Sequence, residues 1–356
     1  MSPKKTIKRY SFDLSKKNIG DRFAALACDK WLIKAATKLT DITYEQLRTG
    51  SGNSAPLASI VKKITAGLFK LRGTGDLGYS EEMEIWADYM GRDKGAVVSA
   101  NLAYELSQVS NWSVNAIQSI KSKIGFCSSV AFYQPAIGMV HARNMDWELE
   151  GIRKSTILID YINGPCGDFT AVSIPGMVGV LSGVAKGRFS ATINLAPSAN
   201  FSPNIINGWS ILLLLRYAFE YCKTYEDAVK MLSIATTVAP AFVQVVGVKK
   251  GQASVIEIFP KGNNAIYEYS DKPLGITNHY LDSDYRDKEW EEEGKTWCTN
   301  SGERLEIIES CAAKCKAKDL EGCLAVLRKY PVLSEMTQQS MVLCAKSGEV
   351  LLNDLE

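Results

Sequence analysis

Histidine is almost missing from this chain. Two occur in 356 residues, His141 and His279, far apart in the sequence. That excludes a histidine-rich metal centre and leaves a Ser-His-Asp hydrolase few candidates for its base. Paired cysteines are missing as well. The nine cysteines are scattered singly without a Cys-x-x-Cys, and only Cys311 and Cys315 stand one helical turn apart. Neither a disulfide framework nor a zinc site follows from that pattern. Gly73-Thr74-Gly75-Asp76-Leu77-Gly78 matches G-x-G-x-x-G but follows a helical pattern where a dinucleotide site needs a strand, so it reads as a loop. No cofactor and no metal is expected.

Charge of one sign is missing too. The formal net charge is +2, and the basic run Lys4, Lys5, Lys8, Arg9 is short. A nucleic-acid partner is therefore not expected. No apolar run approaches the roughly 18 residues of a membrane span; the densest, 211–215, reads as a buried helix. The first thirty residues hold no secretory signal pattern, which points to the cytoplasm, and the sequons at Asn111 and Asn200 carry little without export. The composition, 46% hydrophobic and 22% charged, is that of a globular protein with one large domain or two smaller ones.

Residues 1–20 read as a basic arm or a first edge strand. From 22 to 106 the pattern is helical. Phe23, Leu26, Trp31, Leu32 and Ile33 form one apolar stripe, and Leu57, Ile60, Val61, Ile64, Leu68 and Phe69 another. A third helix is capped by Ser80 with Glu81, Glu82 and Glu84 in its first turn, and a fourth covers 95–106. Residues 107–126 are polar and aperiodic, and read as a linker. Beyond them come short β-patterned runs at 156–162, 170–174, 178–181 and 189–195. Two helices follow at 205–222 and 225–234, the second opened by Thr224 with Asp227 as a capping box. Strands resume at 242–248, 254–259, 265–269 and 274–278. Helices at 302–316 and 320–328 precede a hairpin, 339–345 with 349–352. The pattern indicates an α+β fold of stacked sheets covered by helices.

One stretch concentrates the chemistry. Residues 125–147 read GFCSSVAFYQPAIGMVHARNMDW, two strands joined at Gln134-Pro135. Folding the hairpin brings Cys127 at one end near Arg143, Asn144 and Asp146 at the other. A thiol beside a cation is a nucleophile near neutral pH, although a structural cysteine beside an ordinary ion pair has the same sequence signature. Two bases are available. His279, with Asn300 beyond it, follows Cys127 in the order of a papain-like protease, but Cys127 opens a strand and lacks the Cys-Gly-Ser-Cys-Trp context. The alternative is the α-amine of Cys127 itself, freed by a cut between Phe126 and Cys127, with an intrinsic pKa of about 7.7–8.0.

The segment resembles the N-terminal-nucleophile hydrolases of the choloylglycine-hydrolase superfamily, in which Cys is followed sixteen residues later by Arg and nineteen later by Asp, as Cys127, Arg143 and Asp146 are here. It is similar in particular to the acid ceramidase and N-acylethanolamine acid amidase branch. The stretch from Gly176 to Gly183, Phe189 to Asn194, Thr224 to Ala228, Thr277-Asn278-His279-Tyr280, Gly302-Glu303-Arg304, and Pro331-Val332-Leu333 with Thr337 carry that likeness. Upstream, Glu81-Glu82-Met83 and Asn101 to Leu106 resemble the branch's α-subunit. One departure is Leu195-Ala196, where the branch has an acidic-basic pair.

The resemblance implies a four-layer αββα sandwich and a precursor that cuts itself into residues 1–126 and 127–356, the two pieces staying associated. Cys127 would be the nucleophile and its amine the base. Asp146 would orient that amine, Arg143 would keep the pocket electropositive, and Asn278 would donate to the oxyanion, an effect worth roughly 3–4 kcal/mol. Asn194 would give a second donor, Arg304 would tie the surrounding polar layer together, and Trp147, Met145 and Gly176 would contact substrate. The implied substrate is a small lipid amide, an N-acylethanolamine or a ceramide. Bile-salt or penicillin V amides, acyl transfer, a second cut in 107–126, contact with a membrane surface and a purely lipid-binding role stay open. The surroundings of Trp31, Phe69 and Trp86 are candidates for the lipid pocket.

Overall fold

The computed structural model describes residues 7–50, 77–109, 126–147, 151–196, 201–282, 300–353 and 355. The second apolar stripe at 57–69, most of the glycine-rich loop and residues 110–125 lie outside them. The hairpin forms as its alternation requires: β2 (Phe126–Gln134) and β3 (Gly138–Asp146) run antiparallel, pairing Phe126 with Asp146 and Cys127 with Met145. Gly138 takes φ +110 at the corner, a conformation that glycine adopts without steric cost.

Period-two alternation then sorts the hairpin into two faces. Val130, Phe132, Val140 and Ala142 pack on Ile308, Ala312, Leu324 and Leu327. These last belong to α10 (Ser301–Lys314) and to the 3-10 turn Leu324–Leu327, which follows α11 (Leu320–Cys323). Cys127, Ser129, Ala131 and Tyr133 look the other way, toward a second sheet. The hairpin sits centrally in the smaller sheet, ordered β11-β2-β3-β12-β13, with β11 at Leu274–Ile276, β12 at Thr337–Cys344 and β13 at Glu349–Leu352.

The larger sheet has eight strands in order β1-β4-β5-β6-β7-β8-β9-β10: β1 (Arg9–Asp13), β4 (Ile157–Ile162), β5 (Phe169–Ser173), β6 (Ser182–Ala185), β7 (Phe189–Leu195), β8 (Ala241–Val246), β9 (Ala253–Ile258) and β10 (Ala265–Glu268). β1 is the edge strand and pairs parallel with β4; the other neighbours are antiparallel. Its outer face buries Ile159, Phe169, Phe189 and Val243 against Phe23, Met83, Trp86 and Phe219. The inner faces meet through Leu158, Val172, Met341 and Leu343. Four layers result, helix, sheet, sheet, helix, as the α+β reading expects.

The N-terminal helices are α1 (Ile19–Arg22), α2 (Ala24–Ala27), α3 (Lys30–Gly50), α4 (Tyr79–Met90), α5 (Lys94–Asn101) and α6 (Ala103–Val109); α7 (Ile152–Ser155), α8 (Ile211–Tyr221) and α9 (Tyr225–Ser233) follow. No helix among the described residues is long and apolar enough to cross a membrane. The Thr224/Asp227 capping box closes as read. Other expectations need correction. The cap of α4 is Gly78 at φ +77, so Ser80 lies inside the helix. The single helix at 95–106 breaks at Leu102, and α6 continues through the first residues of the expected linker. Residues 178–181 are not a strand: the Val178 amide donates to Asn101 Oδ1 at 2.7 Å and the Val180 amide to Leu212 O at 3.0 Å. Residues 205–210 do not begin α8, because Asn204 accepts the amides of Asn207 and Gly208 in a local turn. Trp31 is 37% exposed under Lys8 Nζ, and Trp86 is packed on Phe23. Neither is in the wall of the cavity that Cys127 lines.

Arg216 on α8 is wholly buried. It holds Glu82 of α4, with Nη2 at 2.8 Å and Nη1 closer still, and Glu220 at 2.7 Å, and it stacks on Tyr79 and Tyr161. Arg216→Met leaves the buried Glu220 carboxylate without its cation and Glu82 with only Arg22, at 3.3 Å. The expected loss is about 3–5 kcal/mol, read as a lower urea midpoint, and Glu82→Met in the same chain should recover part of it.

Candidate active site

β2 opens at the mouth of the intersheet space, and its first residues are fixed at every polar atom. The Cys127 amide donates to Asn278 Oδ1 at 2.9 Å, and its carbonyl accepts from Arg304 Nη1 at 2.7 Å. Its thiol lies 3.2 Å from Arg143 Nη2. The guanidinium of Arg143 is itself buried and donates to Ser182 Oγ, Leu181 O and Ile193 O, all neutral acceptors on or beside β6 and β7. No carboxylate among the described residues forms an ion pair with it. The guanidinium is therefore directed at the sulfur, with only neutral groups as its other partners.

Arg304 enters from the first turn of α10. One nitrogen bridges Cys127 O and Ser128 Oγ, and the other reaches Asn278 Oδ1 at 2.9 Å. Ser301, one turn earlier on the same helix, accepts the Asn278 amide at 2.9 Å and touches Thr277 Oγ1 at 2.8 Å. Backbone and side chain of Asn278 are thus held from one helix end.

The expected donors are spent differently from what the resemblance implies. Asn278 Nδ2 donates to Leu195 O at 2.9 Å. Asn194 Nδ2 donates to Ile276 O and Thr277 O, stapling β7 to the strand before Asn278. In the intact chain both amide groups hold neighbouring backbone, with both Asn194 N–H groups and one of the two on Asn278 going to carbonyls. Asp146 pairs with Phe126, on the face opposite the thiol, and accepts from Thr337 Oγ1 at 2.6 Å. Burial pushes its carboxyl up to about 6, while Thr337, then Arg304 and Arg143, pull the other way. His279 Nδ1 sits 2.8 Å from Ser301 Oγ and 3.2 Å from Thr277 Oγ1, whereas the thiol's partner is Arg143. The papain-like pairing of Cys127 with His279 is not formed.

Cys127 faces a cavity of about 550 Å³, counting the part open to solvent, walled by Met145, Trp147, Tyr104, Leu181 and Leu212. Met145 and Trp147 are where the sequence put them. Gly176 is not in the wall; its neighbour Met177 is, while Gly176 at φ +88 packs on Ala36 and accepts from Asn101 Nδ2. The buried Trp147 Nε1 has no hydrogen-bond partner. Among the described residues, no cluster of His, Cys, Asp or Glu is placed to hold a metal. Ser128, Ser182, Ser301 and Tyr104 escaped the sequence reading as site residues. Serines carry no period or motif of their own, and only the hairpin register of Ser128 could have signalled one of them.

Comparison with known proteins fits this geometry. Residues 137–335 match the family described as acyl-coenzyme A:6-aminopenicillanic acid acyl-transferase. The chain belongs to that family. The matched segment holds Arg143, Asp146, Asn194, Asn278 and Arg304, and Cys127 joins it through the β2–β3 register. Its relatives set this member among the choloylglycine hydrolase-like N-terminal-nucleophile proteins. It is 26% identical over 239 residues to acid ceramidase of Heterocephalus glaber, covering 61% of this chain and 56% of that one. It is 24% identical over 183 residues to the N-acylethanolamine-hydrolyzing acid amidase of Caenorhabditis elegans, covering 49% of each. The chain thus spans about half the length of the curated relatives it matches. In fold it is similar to the solved Caenorhabditis elegans N-acylethanolamine-hydrolyzing acid amidase ortholog, with a TM-score of 0.50 at 22% identity, over 62% of this chain and 93% of that one.

In this family member the space behind the thiol is polar and buried. His141 Nε2 meets Ser129 Oγ at 3.0 Å and Thr192 Oγ1 at 3.1 Å, and Nδ1 meets Ser190 Oγ at 3.1 Å. Burial, then Arg143, pushes His141 down from 6.5 to about 3. The unfolded chain binds this proton and the folded one does not, so the stabilisation is complete above about pH 6.5 and is lost as pH falls. His141→Gln should therefore lose less stability than wild type between about pH 7 and about pH 5 in urea titrations. Equal losses would refute the assignment.

Proposed function

We propose that the chain is a self-cleaving cysteine amidase that hydrolyses linear N-acyl amides carrying a fatty acyl group. The observation that carries this reading is residue 127 itself: a thiol 3.2 Å from an uncompensated guanidinium, on an apolar cavity, with its own amide nitrogen held by a side chain. The names of the relatives, ceramidase and N-acylethanolamine amidase, favour ceramide-like or N-acylethanolamine-like substrates.

The Cys127 sulfur attacks the Phe126 carbonyl carbon, its proton passes to the Cys127 nitrogen, and the C–N bond breaks as the acyl group moves from nitrogen to sulfur. Water then hydrolyses the thioester, releasing the Phe126 carboxylate and the free thiol. The nitrogen becomes an amine with an intrinsic pKa of about 7.7–8.0, which suits a general base at neutrality. It is part of the same residue as the nucleophile, so positioning it costs little entropy. In turnover the amine takes the thiol proton, sulfur attacks the substrate carbonyl, and the protonated amine hands its proton to the leaving nitrogen. Water cleaves the resulting S-acyl enzyme.

In this scheme Arg143 holds the sulfur's negative charge, and Asn278 with Arg304 keeps the nitrogen in place before and after the cut. Asp146 takes the additional N–H that the amine gains. The N-terminal piece stays bound through β1 in the larger sheet and through the Arg216–Glu82 pair. The matched family's description as an acyl-transferase supports a second reading, in which an amine replaces water in the last step.

On a denaturing gel the purified chain should resolve into two fragments, the larger beginning at Cys127, that co-elute on gel filtration. Cys127→Ala should remain one chain, and His279→Ala should still be cut. A chain that stays whole while turning over N-acyl amides would defeat the proposal. Adding hydroxylamine and measuring hydroxamate against free acid separates transfer from hydrolysis.

A further inference from the structure

Asp146 is gripped by a residue whose place in the sheet is irregular. In β12, Gln339 pairs with Met145 and Ser340 with Asn144, so regular pairing would set Gln338 opposite Asp146. The register instead slips between Thr337 and Gln339, and Thr337 stands opposite Asp146. Bulges of this kind re-aim side chains beside active sites. Gln338 is turned away, its Oε1 accepting the Arg153 amide and its Nε2 donating to Met336 O.

The slip is supported from both sides. Thr337 N donates to Ser334 O at 3.1 Å, and Arg153 Nη2 donates to Thr337 O at 2.6 Å. Thr337 Oγ1 accepts the Ser334 N–H at 3.1 Å and donates along the 2.6 Å contact to Asp146 Oδ1 when that carboxyl is ionised. A carboxyl oxygen that receives such a bond is kept as an acceptor.

We propose that Thr337 is a positioning residue, whose hydroxyl orients the Asp146 carboxylate and holds it as an acceptor across from the Phe126–Cys127 bond. The proposal rests on the amidase reading above. In the intact chain residue 127 offers one N–H, which goes to Asn278. The freed amine offers more, and a carboxylate in register with Phe126 is there to accept them. The charged groups facing Asp146 are Arg304 from α10 and Arg143 from its own strand, with Arg153 of α7 behind Thr337. Burial already raises the Asp146 carboxyl to about 6, and Thr337 is first among the groups opposing that rise. Removing the hydroxyl therefore moves the carboxyl further up.

Two readouts test this. In the uncut Cys127→Ala chain, a carbon-13 aspartate titration, assigned by Asp146→Asn, should place the Asp146 midpoint near 6. Adding Thr337→Val should raise it by about one to two pH units, and Thr337→Ser should leave it in place. In the cut enzyme, the acid limb of single-turnover amide hydrolysis should shift in parallel, upward for valine and not for serine. A valine midpoint equal to that of threonine, or a serine shift as large as that of valine, overturns the proposal. Should the valine chain fail to fold, Thr337→Ala carries the same comparison. Failure of the wild-type chain to cut or turn over amides refutes the amidase reading instead, and the titration still reports on the Thr337–Asp146 bond.

Discussion

Everything around the site depends on how one residue's backbone is gripped. The nitrogen and carbonyl oxygen of Cys127 are bound by Asn278 and Arg304, and its sulfur by Arg143, three side chains drawn from distant parts of the chain. Two guanidinium groups are nearly inaccessible there. Taking such ions out of water costs several kcal/mol each unless their N–H groups are met. Carbonyls and hydroxyls of Cys127, Ser128, Leu181, Ser182 and Ile193, with the amide oxygen of Asn278, meet them, while Arg143 Nε has no hydrogen-bond partner among the described residues. That demand explains why the contact between the sheets is polar near the thiol, and turns apolar only further along, at Leu158, Val172 and Met341.

The hairpin also separates two kinds of chemistry by parity. Odd positions of β2 carry the thiol toward Arg143 and the cavity; Asp146, across from Phe126, belongs to the other face. The sulfur and the carboxylate therefore meet only through the backbone of residues 126 and 127. A group can be charged on one face without lying beside the charge on the other, and the peptide N–H between them is held by Asn278.

Much of this was legible in the sequence because the signals were local. The hairpin follows from alternation and a Gln-Pro corner, and the Thr224 cap from its spacing to Asp227. What was misread depended on partners far away. Val178 and Val180 alternate like a strand, yet their amides are taken by Asn101 and Leu212, and nothing in the segment itself shows that. Asn194 and Asn278 were found as residues, but which carbonyl receives each Nδ2 is set by how β7 lies against the strand before Asn278. Ser80 was a good cap on propensity, and Gly78 took the place because a left-handed residue is required there. The register slip at Gln338 has no signature in composition at all.

The part of the chain before Phe126 is structural. Tyr104 on α6 walls the cavity and bridges two backbone groups beyond the hairpin, donating to Pro240 O at 2.6 Å and accepting from the Ala196 amide at 3.3 Å. Its neighbour Glu105, fully buried, accepts the Ile211 amide at 2.8 Å at the first residue of α8, whose own Ser210 makes no side-chain cap. Glu105 Oε1 meets one of the orphan N–H groups at that helix end, while burial pushes the carboxyl up to about 7. α8 then carries Leu212 into the cavity wall and Arg216 back to Glu82 on α4. The N-terminal segment and α8 therefore order each other, and the cavity beside Cys127 has its shape only while both are docked.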